Sequence, residues 1–171
     1  QILKRLSLNP IEEDDFIDED LTMKDYLKEI VLSFQETSNK EFVLNFDQDS
    51  NSKKITKSIE IVYGLRNFIG NANKFSKNKV FISLKSNINI TEITVEDDGD
   101  GYPSDILSKI GEPYLKSLKD EHKNKIGLGL GLFIGKTLLE KNFAKLNCRN
   151  SQTRGGAEVN IKWNNQDLFN L

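Results

Sequence analysis

Asp97 closes the run "EITVEDDGDG" on the face of a strand where a carboxylate is least at home. Side chains of an extended strand alternate with a period of two. Ile93, Val95 and Asp97 therefore share one face, and Thr94, Glu96 and Asp98 share the other. Ile93 and Val95 must face the core, so Asp97 points inward, where a carboxylate is costly unless donors meet it. Gly99-Asp100-Gly101 lets the backbone bend away and leaves a gap beside it. Two readings stand side by side: an aspartate that caps the glycine turn, and an acceptor for an amine such as the exocyclic group of adenine.

A second group of polar residues interrupts an apolar helix. In "GLRNFIGNANKFS", Val62, Leu65, Ile69 and Ala72 mark one face, while Asn67, Asn71 and Lys74 fall at i, i+4 and i+7 on another. A solvated face usually carries Glu and Lys, which form helix better than Asn. Amide oxygens can hold a hard cation and a lysine can meet phosphate, so the stripe suits Mg²⁺ with a polyphosphate. Each Asn taken singly also fits as a surface polar residue.

The third candidate is "GLGLGLFIGKT", residues 127–137. A Walker loop needs a first glycine where Leu130 stands, and a dinucleotide fingerprint needs a third glycine where Leu132 stands. Both motifs fail. What remains is a glycine-rich entry to a helix, with Gly127, Gly129 and Gly131 at its start. There backbone N–H groups and the helix dipole could meet an anion. A flexible hinge of Gly and Leu would look similar.

These residues need a scaffold. "LTMKDYLKEIVLSFQ" predicts an amphipathic helix, with Thr22 and Asp25 as a capping pair and Tyr26, Leu27, Ile30, Val31 and Phe34 as its buried stripe. "EFVLNFD" predicts a strand, and "KSIEIVYGLRNFIGNANKFS" a second helix. "KVFISLKS" and "NITEITVED" predict a hairpin across an Asn-rich turn. Residues 99–126 predict a long irregular connection, of the kind that is usually functional. After the glycines a helix runs to about Lys141, and "AKLNCRN" and "AEVNIKW" close the chain as strands. Paired consecutive strands imply a mixed sheet with helices on one face, a two-layer α/β sandwich, and exclude a doubly wound sheet.

The 171 residues suffice for one well-buried core. Net charge is −2, with 37% hydrophobic and 29% charged residues, so no basic field argues for nucleic acid as a partner. The single cysteine, Cys148, cannot form an internal disulfide, and the single histidine, His122, excludes a multi-histidine metal site. "QILKRLSL" reads as the end of a helix, and "NPIEEDDFIDED" as an acidic linker, which sets an expected boundary near residue 20. The expectation is therefore a piece of a longer protein, with one domain over 21–171.

In this order, the asparagine helix, the Asp-Gly-x-Gly strand end and the glycine triplet resemble the ATP-binding catalytic domain of sensor histidine kinases. That family belongs to the Bergerat-fold group. "NFIGNANKF" resembles its N box, "DDGDG" its first glycine box, "GEPY" its phenylalanine-type box, "GLGLGL" its second glycine box and "RGGAEVNIKW" its last, over about residues 24–163. The pairing of "GEPY" with "GLGLGLFIGKTLLEK" is similar to RegB-type redox-responsive kinases. The resemblance implies that Asp97 accepts from adenine, with Gly99 and Gly101 lining the base. It implies that Asn71 ligates Mg²⁺ with help from Asn67, that Lys74 lies near the phosphates, and that Phe75 packs near the nucleotide.

It further implies a phosphate-side loop of Gly127, Leu128, Gly129, Leu130, Gly131 and Leu132. Residues 102–126 would be an ATP lid, with Tyr114 and Lys116 at its start. Gly70 would stand where hydrolytic relatives carry a water-activating glutamate, so efficient hydrolysis is not expected. The implied partners are ATP, a dimerisation domain bearing the phosphoacceptor histidine, and a response regulator. The parent protein would be a homodimer in the inner membrane, with this domain in the cytoplasm. A stand-alone ATPase, an anti-sigma-type serine kinase and a non-catalytic nucleotide sensor remain as alternatives.

Overall fold

The structure, a computed structural model, describes residues 21–47, 53–56, 58–110 and 126–170, with the backbone alone for 126–130. The readings of residues 1–20, Tyr114, Lys116 and His122 lie outside the described residues.

Helix α1 (Met23–Gln35) follows a two-residue strand β1 (Leu21–Thr22), and the Thr22 hydroxyl accepts from the Asp25 N–H at 3.1 Å. This is half of the expected capping pair. Strands β2 (Glu41–Phe46) and β3 (Lys54–Ile55) precede the long helix α2 (Ile59–Phe75), whose N-cap is Ser58. The hairpin β4 (Lys79–Ser86) and β5 (Ile90–Asp97) turns at Asn87, whose side-chain oxygen accepts from the N–H groups of Asn89 and Ile90. A short helix α3 (Ser104–Lys109) and a longer α4 (Ile126–Lys141) come next. The final elements are β6 (Lys145–Asn150), β7 (Ala157–Asn164) and α5 (Asn165–Leu168).

The main sheet has the order β2-β4-β5-β7-β6, with β2 parallel to β4 and every other pair antiparallel. β1 and β3 form a separate two-stranded antiparallel sheet, too short to leave a periodic signal in the sequence. Along β5 burial alternates strictly: Thr91, Ile93, Val95 and Asp97 are buried on the helix side. Ile93 and Val95 join Leu65, Phe68, Ile69 and Ala72 of α2 in one core that also contains Trp163 and Leu139. Burying a large apolar side chain contributes roughly 1.5–3 kcal/mol. The Trp163 indole N–H also finds a partner, the Asn142 carbonyl at 3.1 Å. Among the described residues no helix is long and apolar enough to cross a membrane.

Two expectations change. Helix α3 lies inside the stretch 99–126 read as irregular; at six residues it is too short to show a clear period. Helix α4 begins at Ile126, so Gly127, Gly129 and Gly131 lie within its first turns and not before them. Each glycine disfavours helix by about 1 kcal/mol, but tertiary packing overrides propensity. The packing here needs small residues. A Cβ on Gly135 would sit 2.6 Å from Cε2 of Phe68, and one on Gly64 would sit 2.6 Å from Cγ of Leu139. Helices α2 and α4 thus cross through glycines, and this explains the Gly of "GKT" without any phosphate. Gly135→Ala is expected to lower stability by about 1–3 kcal/mol through overpacking. Chemical denaturation measures this, and an unmoved midpoint would show that the helices have room to part.

Candidate functional site

Asp97 ends β5 almost fully buried, as strand alternation requires. One carboxylate oxygen, Oδ1, accepts from the Gly99 N–H at 2.8 Å and the Ala157 N–H at 3.3 Å. No donor among the described residues reaches the other. Burial pushes this carboxyl above its ordinary range, and the Gly99 and Ala157 bonds only partly oppose that. Asp97 therefore caps the turn through one oxygen, as the first of its two readings has it, and also lines a cavity. Asp98, on the opposite face, behaves differently. Desolvation would raise it, but the N–H groups of Asn78, Lys79 and Lys77 hold it below the usual carboxylate range.

The cavity beside Asp97 measures about 230 Å³. Its apolar walls are Phe68, Ala72 and Phe75 of α2, Val95 of β5, and Ala157 and Val159 of β7. Asn71, Asp100, Gly101, Tyr102 and Pro103 complete it. A mostly apolar cleft with one aimed carboxylate suits a flat base carrying an amine. Its volume falls below the ~300–1,000 Å³ usual for a whole drug-sized ligand, so anything longer must extend out of it. Asn71 points to the direction. Among the described residues its buried Nδ2 meets no hydrogen-bond partner, and a Cβ on Gly131 would meet that amide at 3.1 Å. Asn71 thus joins the base cavity to the first turns of α4. The leading N–H groups of a helix have no intrahelical acceptor and attract anions.

The remaining expected residues divide. Phe75 lines the cavity while remaining 42% exposed. Gly101 lines it in the left-handed region, at φ 84°, which explains the glycine. Gly99 does not line it but shapes the turn, because a Cβ there would collide with the Phe75 carbonyl. Asn67 lies outside the cavity, and its side-chain amide donates to the Tyr63 carbonyl at 2.8 Å. Lys74 is exposed, its Nζ 5.3 Å from the Phe75 ring centre. Leu132 is buried in the core and anchors α4. Gly127, Leu128, Gly129 and Leu130 lie in the first turns of α4, where the backbone alone is described. Gly70 is a correction: it faces α1, where a Cβ would meet Phe34 at 3.2 Å, so a carboxylate there could not serve the Asn71 side.

Sequence reasoning missed the far wall. Tyr102, assigned to the lid, is buried in the cavity wall, and its backbone N–H and carbonyl pair with the Asn150 side chain at 2.7 and 3.2 Å. Gly156 and Ala157, read as part of the last glycine box, were given no individual role. A Cβ on Gly156 would strike Asp97, so this glycine lets β7 close over the carboxylate. The signal was present in "RGGAEVNIKW", whose two glycines precede a strand. Cys148 lies beside Tyr102, and burial pushes its thiol up to about 11, against the pull of the Tyr102 bond. The thiolate, the reactive form of a cysteine, is disfavoured there.

Residues 56–167 match the family model of histidine kinase-, DNA gyrase B- and HSP90-like ATPases. The chain belongs to this family. Sensor histidine kinase RegB of Cereibacter sphaeroides is 35% identical over 130 residues, covering 67% of this chain and 28% of RegB. The catalytic domain of histidine kinase ThkA superposes with a TM-score of 0.68 at 20% identity, over 85% of this chain and 96% of that one. Full-length ShkA, solved with AMPPNP, gives a TM-score of 0.65 at 17% identity, over 85% of this chain and 30% of its own. The relative that matches by sequence is a sensor histidine kinase, and the fold is that of histidine kinase catalytic domains. The chain spans only 28% of the length of the RegB relative.

Proposed function

We propose that this domain holds Mg·ATP with the adenine amine on the free oxygen of Asp97 and the phosphates running past Asn71 to the start of α4. The γ-phosphoryl group then passes to a histidine on a separate dimerisation domain, and onward to a response regulator. The observation that carries this reading is the half-satisfied Asp97 carboxylate at one end of the cavity, with the unpartnered Asn71 amide at the other. An analogue of ATP in the similar ShkA structure supports it.

The donor set also fits a nucleotide-bound Mg²⁺. Among the described residues no cluster of three His, Cys, Asp or Glu could hold a metal alone. An amide oxygen plus phosphates and water is the hard-oxygen set Mg²⁺ accepts. Asn71, with Asn67 one turn earlier, would hold it, and the ion would neutralise phosphate charge during in-line transfer. The domain's own part is then positioning: Asp97 and Phe75 fix the base, and Asn71 and Lys74 guide the phosphates.

The domain would extend over 21–171, with the ATP lid in the stretch of about 102–126 and residues 1–20 joining it to the dimerisation helices. The parent protein would be a homodimer in the inner membrane. Similarity to RegB supports a redox-responsive kinase, with its sensing cysteine elsewhere than Cys148. Mixing this domain in trans with the dimerisation domain of the parent protein and labelled ATP tests the reading. Acid-labile, base-stable phosphohistidine on the partner is expected. Phosphate release with no label on the partner would overturn it in favour of a stand-alone ATPase.

A further inference from the structure

The C-terminal end of α2 carries Asn71, Ala72 and Phe75 to the cavity, and charged residues outside the cavity grip it from two sides. Lys40, between α1 and β2, donates through Nζ to the Asn73 carbonyl at 2.7 Å, the Ser76 carbonyl at 2.8 Å and the Ser76 hydroxyl at 3.1 Å. All three ammonium protons are used. Carbonyls at a helix C-terminus lack intrahelical donors, and a cation there also meets the negative end of the dipole. Ser38 reinforces the grip: its hydroxyl donates to the Asn73 side-chain oxygen at 2.6 Å and accepts from the Lys40 N–H at 3.0 Å. From the other side Asp98 accepts the N–H groups of Lys77, Asn78 and Lys79. The connection from α2 to β4 is therefore held by an ammonium on its carbonyls and a carboxylate on its amides, both charge-assisted.

This connection adjoins the base end of the cavity. The Phe75 carbonyl packs against Gly99, the residue whose N–H meets Asp97. We infer that Lys40 is a positioning residue for nucleotide binding, which seats the end of α2 against the Asp97 turn so that Phe75 and Asp97 meet the base at a set spacing. This role rests on the nucleotide reading given above. Lys40 also acts through its field. Asp97 feels Asp98, which raises it, and Lys40, which lowers it, while Asp100 and the buried Tyr102 share its cavity.

Lys40→Met keeps the stem and removes the charge. Calorimetric titration with ATP and ADP across the acid range, on protein shown folded by circular dichroism, tests it. Lys40→Met should bind both nucleotides about tenfold more weakly and by the same factor, because the base end is common to both. Its affinity should also begin to fall at a higher pH, since Asp97 loses a cation that favours its ionised form. Lys40→Arg should keep the parent's acid limb, and Ser38→Ala, which loosens the grip without changing charge, should leave it in place. Affinity and acid limb equal to the parent's in Lys40→Met would overturn the role. Weaker binding with an unmoved limb would reduce Lys40 to a structural tie and overturn it equally. Asp97→Asn run in parallel separates the two failures: if it binds ATP normally the nucleotide reading itself fails, and if it alone loses binding only the Lys40 role fails.

Discussion

Asp97→Asn is expected to weaken ATP binding by about 100-fold or more while the unliganded domain keeps or gains stability. The asparagine retains one oxygen for the N–H groups of Gly99 and Ala157, so the turn survives. Its amide nitrogen replaces the oxygen that faces the cavity, and a donor then confronts the base amine. Losing a hydrogen bond to a charged group and leaving two buried donors unpaired costs on the order of 1–3 kcal/mol each, which is enough for such a fall. Stability should move the other way with pH. The folded carboxyl titrates above its ordinary value because it is buried. A raised folded pKa means the contribution is present below the unfolded value and lost as pH rises through the folded one. The parent therefore bears a penalty near neutrality that the asparagine removes. Calorimetry measures the affinity, and melting at acid and neutral pH measures the difference between variant and parent. Unchanged ATP affinity would sink the adenine assignment.

Asn71→Ala has the second large effect, at the opposite end of the cavity. It should abolish the Mg²⁺ dependence of ATP binding and slow phosphoryl transfer to the dimerisation domain by about 10²–10³-fold, the usual effect of removing one aimed electrostatic group. The fold should tolerate it. The buried amide Nδ2 meets no partner among the described residues, so alanine removes an unmet donor along with the amide. Titrations with Mg²⁺ and with a chelator, together with single-turnover transfer, measure the effect. A variant whose binding still tightens fully with Mg²⁺ would refute the role of Asn71.

The Asp97 end of the site was legible because one face of β5 spells its own burial. Ile93 and Val95 force Asp97 inward whatever it pairs with. The faces of α2 were legible for the same reason, since Val62, Leu65, Ile69 and Ala72 are all buried where a helical period puts them. Contacts between distant segments left no such trace. Nothing local in "CRN" announces that Asn150 will pair with the backbone of Tyr102, so the wall at Tyr102 was mistaken for lid. The direction of Gly70 depends on where α1 packs, which its own helix does not encode. The start of α4 was missed because alternate glycines argue locally against helix. Of these, Gly131 has its reason in a neighbour on α2, since a Cβ there would meet the Asn71 amide at 3.1 Å.

Helices α2 and α4 touch closely where they cross: the Phe68 ring lies on Gly135 and Leu139 lies on Gly64, with no space for a further carbon at either place. Helix α2 also carries Asn71 and Phe75 to the cavity, and a Cβ on Gly131 of α4 would crowd the Asn71 amide. A bulkier residue at Gly64 or Gly135 is therefore expected to shift a wall of the cavity as well as loosen the core.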